Sequence, residues 1–490
     1  MSLGQSIRNG AIWLFIGNTG GQILTFLVGI VLARLLAPED FGILVTISIF
    51  TGLAGFVAGG GMGQALVRAK DATRRDYDIV FTLQIIIGGL VYAVFYVAAP
   101  WLAAWYETPL YAHLLQISAL SFIFRPFVNL PYSILHRQMR FKAITGVAIT
   151  SLTVSSATSI GMAYAGYGVW SLILGGIAGS LVSAVLLAPV AKWRPGLSLD
   201  LRRGRDIARY GLMVSVTDIL VYLRAQTSVF ILSHTSGPAS VGLYNKGDSL
   251  ARLPNTFITG SVYQVLFRAM AAEQDNLDKC RYLFFRSITL VAVYATPFYI
   301  GLLWLAEPFV RGLYGEKWVA AATPLLILCC AWPFWLMENL SGAVLAAKNW
   351  LDREILVQSS TLIITALAVL IGLSRDIEGV AYAIVAASMY SGLYMYWLAM
   401  RCLRAHWSDY IRALIPAIIL NTVLAGILFL VDAALPASLR TNDYFYIFSM
   451  GISGGLVYIF SFLYFPIEVL NAEQQRWKTK LRLISTPTKS

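Results

Sequence analysis

Residues 79–105 read IVFTLQIIIGGLVYAVFYVAAPWLAAW, a stretch without a single charged side chain. A helix of about 20 apolar residues is long enough to cross the hydrocarbon core of a bilayer. Similar stretches recur between clusters of charge along the whole chain, and together they predict about fourteen membrane spans. These cover residues 11–36, 41–66, 79–105, 110–134, 142–164, 168–191, 207–233, 240–267, 284–312, 320–346, 354–373, 378–400, 412–433 and 444–466.

The composition supports an all-α polytopic membrane protein. Of the 490 residues, 58% are hydrophobic and only 13% are charged, whereas a soluble globular protein carries about 25% charged residues. This balance excludes a disordered chain, a nucleic-acid-binding domain and an ordinary cytosolic enzyme, because each of these needs a polar surface against water. We therefore expect a lipid bilayer as partner and no nucleic acid.

The basic residues predict the orientation. With the N-terminus placed in the cytoplasm, 28 of the 37 Lys and Arg residues fall on the inner side and five on the outer side. Such an excess is the positive-inside pattern. It predicts cytoplasmic N- and C-termini and an even number of spans. The net charge of +12 therefore indicates topology.

No pattern in the chain indicates catalysis or metal binding. The four cysteines form no C-x-x-C pair, and the four histidines do not cluster with them, so we expect neither a zinc site nor a disulfide framework. Catalytic signatures such as H-E-x-x-H and the Walker lysine motif do not occur. We expect no catalytic residue, cofactor or metal.

Two sequence motifs recur at an offset of 200 residues. L-x5-P-x3-G ends at Gly42 and again at Gly242, and Q-x-L-x-R-A occupies residues 64–69 and again 264–269. An even number of spans separates the copies, so both insert with the same orientation. That arrangement indicates parallel repeats around an axis along the membrane normal, as in many transporters.

The repeat predicts two six-helix lobes around a central cavity. The N-terminal lobe would comprise residues 1–191 and the C-terminal lobe residues 207–401, joined by a cytoplasmic linker of residues 192–206. Residues 402–470 would form two extra helices, the thirteenth and fourteenth. Residues 471–490 would form a basic cytoplasmic tail.

Charged side chains inside the spans point to a site. Each costs at least about 2.5–3.5 kcal/mol at the bilayer centre, so each needs an explanation. Span eight carries Asp248, Arg252, Asn255 and Thr259 at i, i+4, i+7 and i+11, on one helix face. Further intramembrane candidates are Lys246, Asp218, Arg224, Arg125, Asn18, Gln22 and Glu338.

Two interpretations of these charges stay open. In the first, they form internal ion pairs, such as Asp248 with Arg252 one turn away, or Asp218 with Arg224 or Arg252. In the second, they form a cationic cavity for an anionic head group, because basic residues outnumber acids at this depth and the Arg fork suits phosphate. The proposed anion-binding residues are then Arg252, Arg224, Lys246 and Arg125.

Other polar residues have predicted roles around such a cavity. Asn18, Gln22 and Asn255 would line it, and Asp218, Asp248 and Glu338 are candidate carriers of a coupling ion. The cytoplasmic connections are too short for an ATPase domain, so coupling would come from an ion gradient, the membrane potential or mass action. Tryptophans at the predicted span ends are typical of interfacial anchors; they are Trp101, Trp105, Trp318, Trp407 and Trp477.

Four segments resemble a known family. They are LARLLAPEDFG at residues 32–42, GLYNK at 242–246, RLPN at 252–255 and YGEKW at 314–318. With fourteen spans, they resemble the polysaccharide transporters of the multidrug/oligosaccharidyl-lipid/polysaccharide exporter superfamily. The similarity covers essentially the whole chain and is greatest to the Wzx-type flippases that include colanic acid and exopolysaccharide exporters.

The resemblance implies a transport function. It implies that two lobes rock between inward-open and outward-open states. They would move an undecaprenyl-diphosphate-linked oligosaccharide from the cytoplasmic to the periplasmic leaflet of a bacterial inner membrane. The product would be exopolysaccharide, capsule or the O-antigen of lipopolysaccharide. The basic residues would hold the diphosphate, and a polymerase and a chain-length regulator of the same pathway would be partners.

Two other function classes remain open. A cation-coupled multidrug antiporter on the same fold would need an acidic, aromatic site for cationic cargo, which the surplus of Arg disfavours. A membrane enzyme of the same pathway, a polymerase or ligase, would be expected to carry a large periplasmic loop with catalytic Arg, His or Asp. The predicted outer loops are too short for one.

Overall fold

The computed structural model describes residues 3–59, 62, 63, 66, 73–200 and 219–481. These residues form helices and short connections, without a β-strand among them. The chain divides into two compact units, Met1–Gly242 and Leu243–Ser490. An all-helical, polytopic fold is therefore confirmed for the described part of the chain.

The first unit is a bundle of long helices with tight turns. Small residues bring α6 and α7 close together, because a Cβ atom on Gly179 would lie 2.8 Å from Ser155 Cβ, and Ser183 donates to Ser151 (2.8 Å). The helices are α1 (Leu3–Leu35), α2 (Pro38–Gly59), α3 (Arg74–Trp105), α4 (Leu110–Ala119), α5 (Ser121–Arg137), α6 (Phe141–Tyr164), α7 (Val169–Val190) and α8 (219–235).

The last helix of the first unit, α8, packs against α2. The Tyr222 hydroxyl donates to the Ser48 carbonyl oxygen (2.7 Å), and Phe230 makes an edge contact with Phe50. At the far end of α8, Tyr106 and Ser233 share a hydrogen bond of 2.9 Å. These contacts fix the helix that carries Arg224.

The second unit begins within α9 (Gly237–Ala272), which continues out of the first unit through Pro254 without a break. Its remaining helices are α10 (Leu277–Tyr314), α11 (Ala322–Cys329), α12 (Trp332–Ala347), α13 (Leu351–Gly372), α14 (Asp376–Leu403), α15 (Trp407–Ala434), α16 (Ala437–Arg440), α17 (Asp443–Tyr464) and α18 (Asn471–Lys480).

Two places in the second unit depart from simple straight spans. The segments Glu316–Cys329 and Trp332–Ala347 meet at a bend of 56°, so predicted span ten is broken. Helices α13 and α14 are joined by a short 3₁₀ turn, Leu373–Arg375. They lie side by side, and Tyr390 donates to Ser360 across them (3.0 Å).

Over their described residues, the predicted spans lie in helices, with span four divided between α4 and α5 and span ten between α11 and α12. By length and composition, nine of the described helical segments could cross a membrane, or ten if the bent pair counts as one span. One segment of the nine, Asp352–Leu403, contains both α13 and α14. The number fourteen and the six-helix repeat stay predictions.

The two copies of the L-x5-P-x3-G motif contact each other. A Cβ atom on Gly42 would overlap the carbonyl oxygen of Pro238, and one on Gly242 would overlap the carbonyl oxygen of Pro38. Each glycine therefore lets the other copy approach. The second motif cannot be compared, because most of its first copy, residues 64–69, lies outside the described residues.

Candidate anion site

The polar face of α9 is built around an ion pair. Arg252 Nε donates to both carboxylate oxygens of Asp248, at 2.9 and 2.8 Å. The i, i+4 pairing that the sequence offered as one interpretation is thus confirmed. Because Asp248 engages only Nε, the terminal Nη groups have no hydrogen bond to the residues that the structure describes.

An aromatic ring supports the same guanidinium. Arg252 Cζ lies 4.6 Å from the centre of the Trp335 ring on α12. The Arg252 side chain nevertheless stays 45% exposed, although it lies near the middle of a helix of 36 residues. Stacking and the Nε bonds hold the guanidinium in one orientation, and nearly half of the side chain remains exposed.

Of the next two polar residues of this face, Asn255 is half-buried and Thr259 is buried. Asn255 Oδ1 and Thr259 Oγ1 are both inaccessible and lack hydrogen-bond partners within the described residues. Asn255 was predicted to line the cavity. Buried polar atoms normally form hydrogen bonds. Asn255 Oδ1 and Thr259 Oγ1 are therefore free to accept hydrogen bonds from a bound molecule or water, on the C-terminal side of Arg252.

Lys246 lies against an aromatic pair in the N-terminal third of α9. Its ammonium group is 4.6 Å from the centre of the Tyr314 ring and 5.3 Å from that of Trp318. Trp318 is completely buried, so the prediction that it anchors the protein at the membrane interface is wrong. The residue follows a span end in sequence, but the 3₁₀ segment Glu316–Ala321 folds it inward.

We expect Lys246→Met to lower the thermal unfolding temperature, measured in detergent at a fixed scan rate. The variant keeps an apolar stem but loses the cation–π attraction, which is worth about 0.5–2 kcal/mol. Lys246→Arg should retain more of it. Lys279→Met removes an exposed lysine paired with Glu273 and should change little. An equal loss in both Met variants would contradict this role for the aromatic pair.

One carboxylate follows Trp335 on α12, and a second approaches the same helix from α13. Glu338 lies one turn beyond Trp335 and one turn before Gly342. Glu354 Oε1 lies 3.7 Å from the position of a Cβ atom on Gly342. Sequence analysis missed Glu354, because an acid in the first turn of a helix is an ordinary feature.

The predicted cations divide between the two units. Arg125 lies in the first unit, where it donates through Nη1 to the Gly55 carbonyl oxygen and lies 5.5 Å from the centre of the Phe122 ring. Arg224 lies on α8 and Gln22, exposed, on α1. Asp218 and the side chain of Asn18 lie outside the described part of the chain.

Beside its polar face, α9 borders an apolar cavity of about 590 Å³. Leu250, Leu253 and Pro254 line it from α9. Helices α10, α15 and α17 supply the other walls, including Phe298 and Met450. Leu253 directly follows Arg252, so charge and apolar volume occupy neighbouring faces of one helix.

Comparison with known sequences identifies relatives. A family described as polysaccharide biosynthesis protein matches residues 31–323. The teichuronic acid biosynthesis protein TuaB of Bacillus subtilis (strain 168) is 25% identical over 434 residues, covering 87% of this chain and 89% of TuaB. The succinoglycan biosynthesis transport protein ExoT of Rhizobium meliloti (strain 1021) is 26% identical over 323 residues, covering 66% of this chain and 65% of ExoT.

Solved structures with the same fold are transporters. The lipid II flippase MurJ, in an inward closed conformation, matches 92% of this chain and 97% of its own, with a TM-score of 0.73 and 17% identity. An inward-facing multidrug resistance MATE family transporter of the MOP superfamily matches 81% of this chain and 98% of its own, with a TM-score of 0.61 and 16% identity. At these identities the likeness shows the fold alone.

Proposed function

We propose that the chain, which belongs to the polysaccharide biosynthesis protein family, is a flippase and not an enzyme. Its cargo would be an oligosaccharide linked to undecaprenyl diphosphate, moved from the cytoplasmic to the periplasmic leaflet of a bacterial inner membrane by alternating access. The role of ExoT in transport and the MurJ-like fold support transport of a lipid-linked glycan.

The observation that carries the proposal is the partly exposed, charged side chain of Arg252. A cation facing lipid in mid-membrane is strongly disfavoured, so an exposed one should face a water-filled cavity. Asp248 satisfies Nε, and the Nη groups can then bind two phosphate oxygens in the bidentate manner that Arg favours. Lys246 adds a second positive charge on the same helix.

The apolar cavity beside Leu253 fits the rest of such a cargo. An undecaprenyl chain is purely hydrocarbon, and the cavity walls are almost entirely apolar side chains. A diphosphate at Arg252 and a prenyl chain in this cavity would occupy adjacent faces of α9. Arg125 and Arg224, which belong to the first unit, stay predicted anion contacts, and our proposed site rests on the second unit alone.

The antiporter alternative is less well supported by the same geometry. A cationic drug needs an open carboxylate, and both oxygens of Asp248 accept hydrogen bonds from Arg252. The accessible charge on this face of α9 is positive. The likeness to a MATE transporter concerns the fold and does not specify the cargo.

Reconstitution into proteoliposomes tests the proposal. A fluorescent oligosaccharide on undecaprenyl diphosphate should become accessible to a membrane-impermeant quencher on the opposite side, whereas the same glycan on a neutral lipid should not. Equal movement of both lipids would contradict an anion site. Proton-driven uptake of a cationic dye without glycolipid movement would favour the antiporter, and a lengthened glycan would favour a polymerase.

A further inference from the structure

The C-terminal helix α18 is docked onto α10 through a specific face. Trp477 Nε1 donates to the Tyr294 hydroxyl (2.9 Å), and Glu473 lies 3.8 Å from Arg286. Gln474, only 5% exposed, donates to the Phe465 carbonyl oxygen (2.8 Å). These contacts fix the rotation of α18 about its axis, so its remaining side chains have a defined direction.

Beside the docking face, α18 carries accessible basic side chains. The Arg476 side chain is 65% exposed, and Lys480 is exposed beside the Trp477 ring. Lys478 lies 5.1 Å from the centre of the Tyr464 ring, at the end of α17. The acid of this helix, Glu473, is held between Arg286 and Arg476, so the accessible side of α18 is positively charged.

An apolar groove runs along α17 up to the same tyrosine. It has a volume of about 440 Å³, and its residues are Leu456, Val457, Ile459, Phe460, Leu463 and Tyr464. Phe460 and Tyr464 are more than half exposed. The apolar groove on α17 therefore ends close to the ammonium group of Lys478, at the predicted cytoplasmic surface.

We propose that α18 and the end of α17 form a binding site for an acidic phospholipid of the cytoplasmic leaflet. The headgroup phosphate would lie among Arg476, Lys478 and Lys480, and an acyl chain would follow the groove along α17. Clusters of basic residues directly beside a membrane span attract anionic lipids. The site depends on the predicted cytoplasmic location of the C-terminus but not on which cargo is flipped.

Photocrosslinking measures this binding without a transport assay. The full chain, with a photoreactive residue at the exposed position 475, is placed in nanodiscs containing equal amounts of phosphatidylcholine and phosphatidylglycerol. We expect the crosslinked lipid to be enriched in phosphatidylglycerol. In the variant Arg476→Gln/Lys478→Gln/Lys480→Gln, this enrichment should fall by at least about fivefold, the factor that one basic residue contributes near an anionic surface.

A charge-matched variant separates the site from general attraction. Lys279→Gln/Arg353→Gln/Arg412→Gln removes the same charge from exposed residues of other helices and should leave the enrichment unchanged. The proposal is overturned if the wild-type chain shows no enrichment, if the α18 variant retains it, or if both variants lose it equally. Glycolipid flipping by the α18 variant, assayed separately, tests the transport function independently of these outcomes.

Discussion

Arg252→Ala is expected to lower the rate of glycolipid flipping by about 10- to 150-fold. The change removes charge-assisted hydrogen bonds to phosphate, which are worth about 1.5–3 kcal/mol, and each 1.4 kcal/mol corresponds to a factor of about ten. Arg252→Lys should be intermediate, since it keeps the charge but loses the planar fork that stacks on Trp335. The quencher assay in proteoliposomes measures all three proteins.

The matched control for this prediction lies on the same helix. Arg268 is an exposed arginine of α9 at its predicted cytoplasmic end, and Arg268→Ala should flip at nearly the wild-type rate. Equal losses in the two alanine variants would show that any arginine of α9 matters and would remove the special role of Arg252. Chromatographic behaviour in detergent checks that each variant is folded.

A double variant separates anion binding from simple neutralisation of Asp248. If Arg252 only balances that carboxylate, Arg252→Ala fails because it leaves an unpaired charge, and Asp248→Ala/Arg252→Ala should restore activity. If Arg252 holds the diphosphate, the double variant remains as slow as Arg252→Ala. Restoration of flipping in the double variant would move the anion site away from α9.

The local parts of this site could be predicted from sequence. The pairing of Asp248 with Arg252 follows from a spacing of four residues on a helix. The stacking of Arg252 on Trp335 could not be predicted, because it joins α9 to α12 and depends on how the two helices pack. The inward position of Trp318 was predicted wrongly for the same reason, since position at a span end does not show which way a short turn folds.

The helices could be predicted because the length of an apolar stretch follows directly from the sequence. The run at residues 79–105 lies within α3, as membrane thickness requires. The bend between Cys329 and Trp332 was not predicted, because the apolar pattern continues through it. The repeated motif was also visible in sequence, but the contact between its two copies requires coordinates.

Gly42→Ala and Gly242→Ala are each expected to lower the thermal unfolding temperature by several degrees. The added methyl group meets a backbone carbonyl oxygen of the other copy, at Pro238 or Pro38, and a carbonyl cannot rotate aside as a side chain can. Overpacking of this kind costs about 1–3 kcal/mol, and each kcal/mol lowers the unfolding temperature by about 2–4 °C in a domain of this size. Scanning fluorimetry at one scan rate measures it.

The control variant, Gly29→Ala, is expected not to lower the thermal unfolding temperature. Gly29 lies in α1 with open space at its Cβ position, so Gly29→Ala should be neutral or stabilising, because Ala favours a helix over Gly by about 1 kcal/mol. The double variant Gly42→Ala/Gly242→Ala should lose less than the sum of the single losses, since both methyl groups separate the same two segments. Additive losses, or a Gly42→Ala that behaves like Gly29→Ala, would show that the two motif copies do not share this contact. The contact is reciprocal, because the glycine of each motif copy lies against the proline carbonyl oxygen of the other copy. This explains why both copies have the same spacing from proline to glycine.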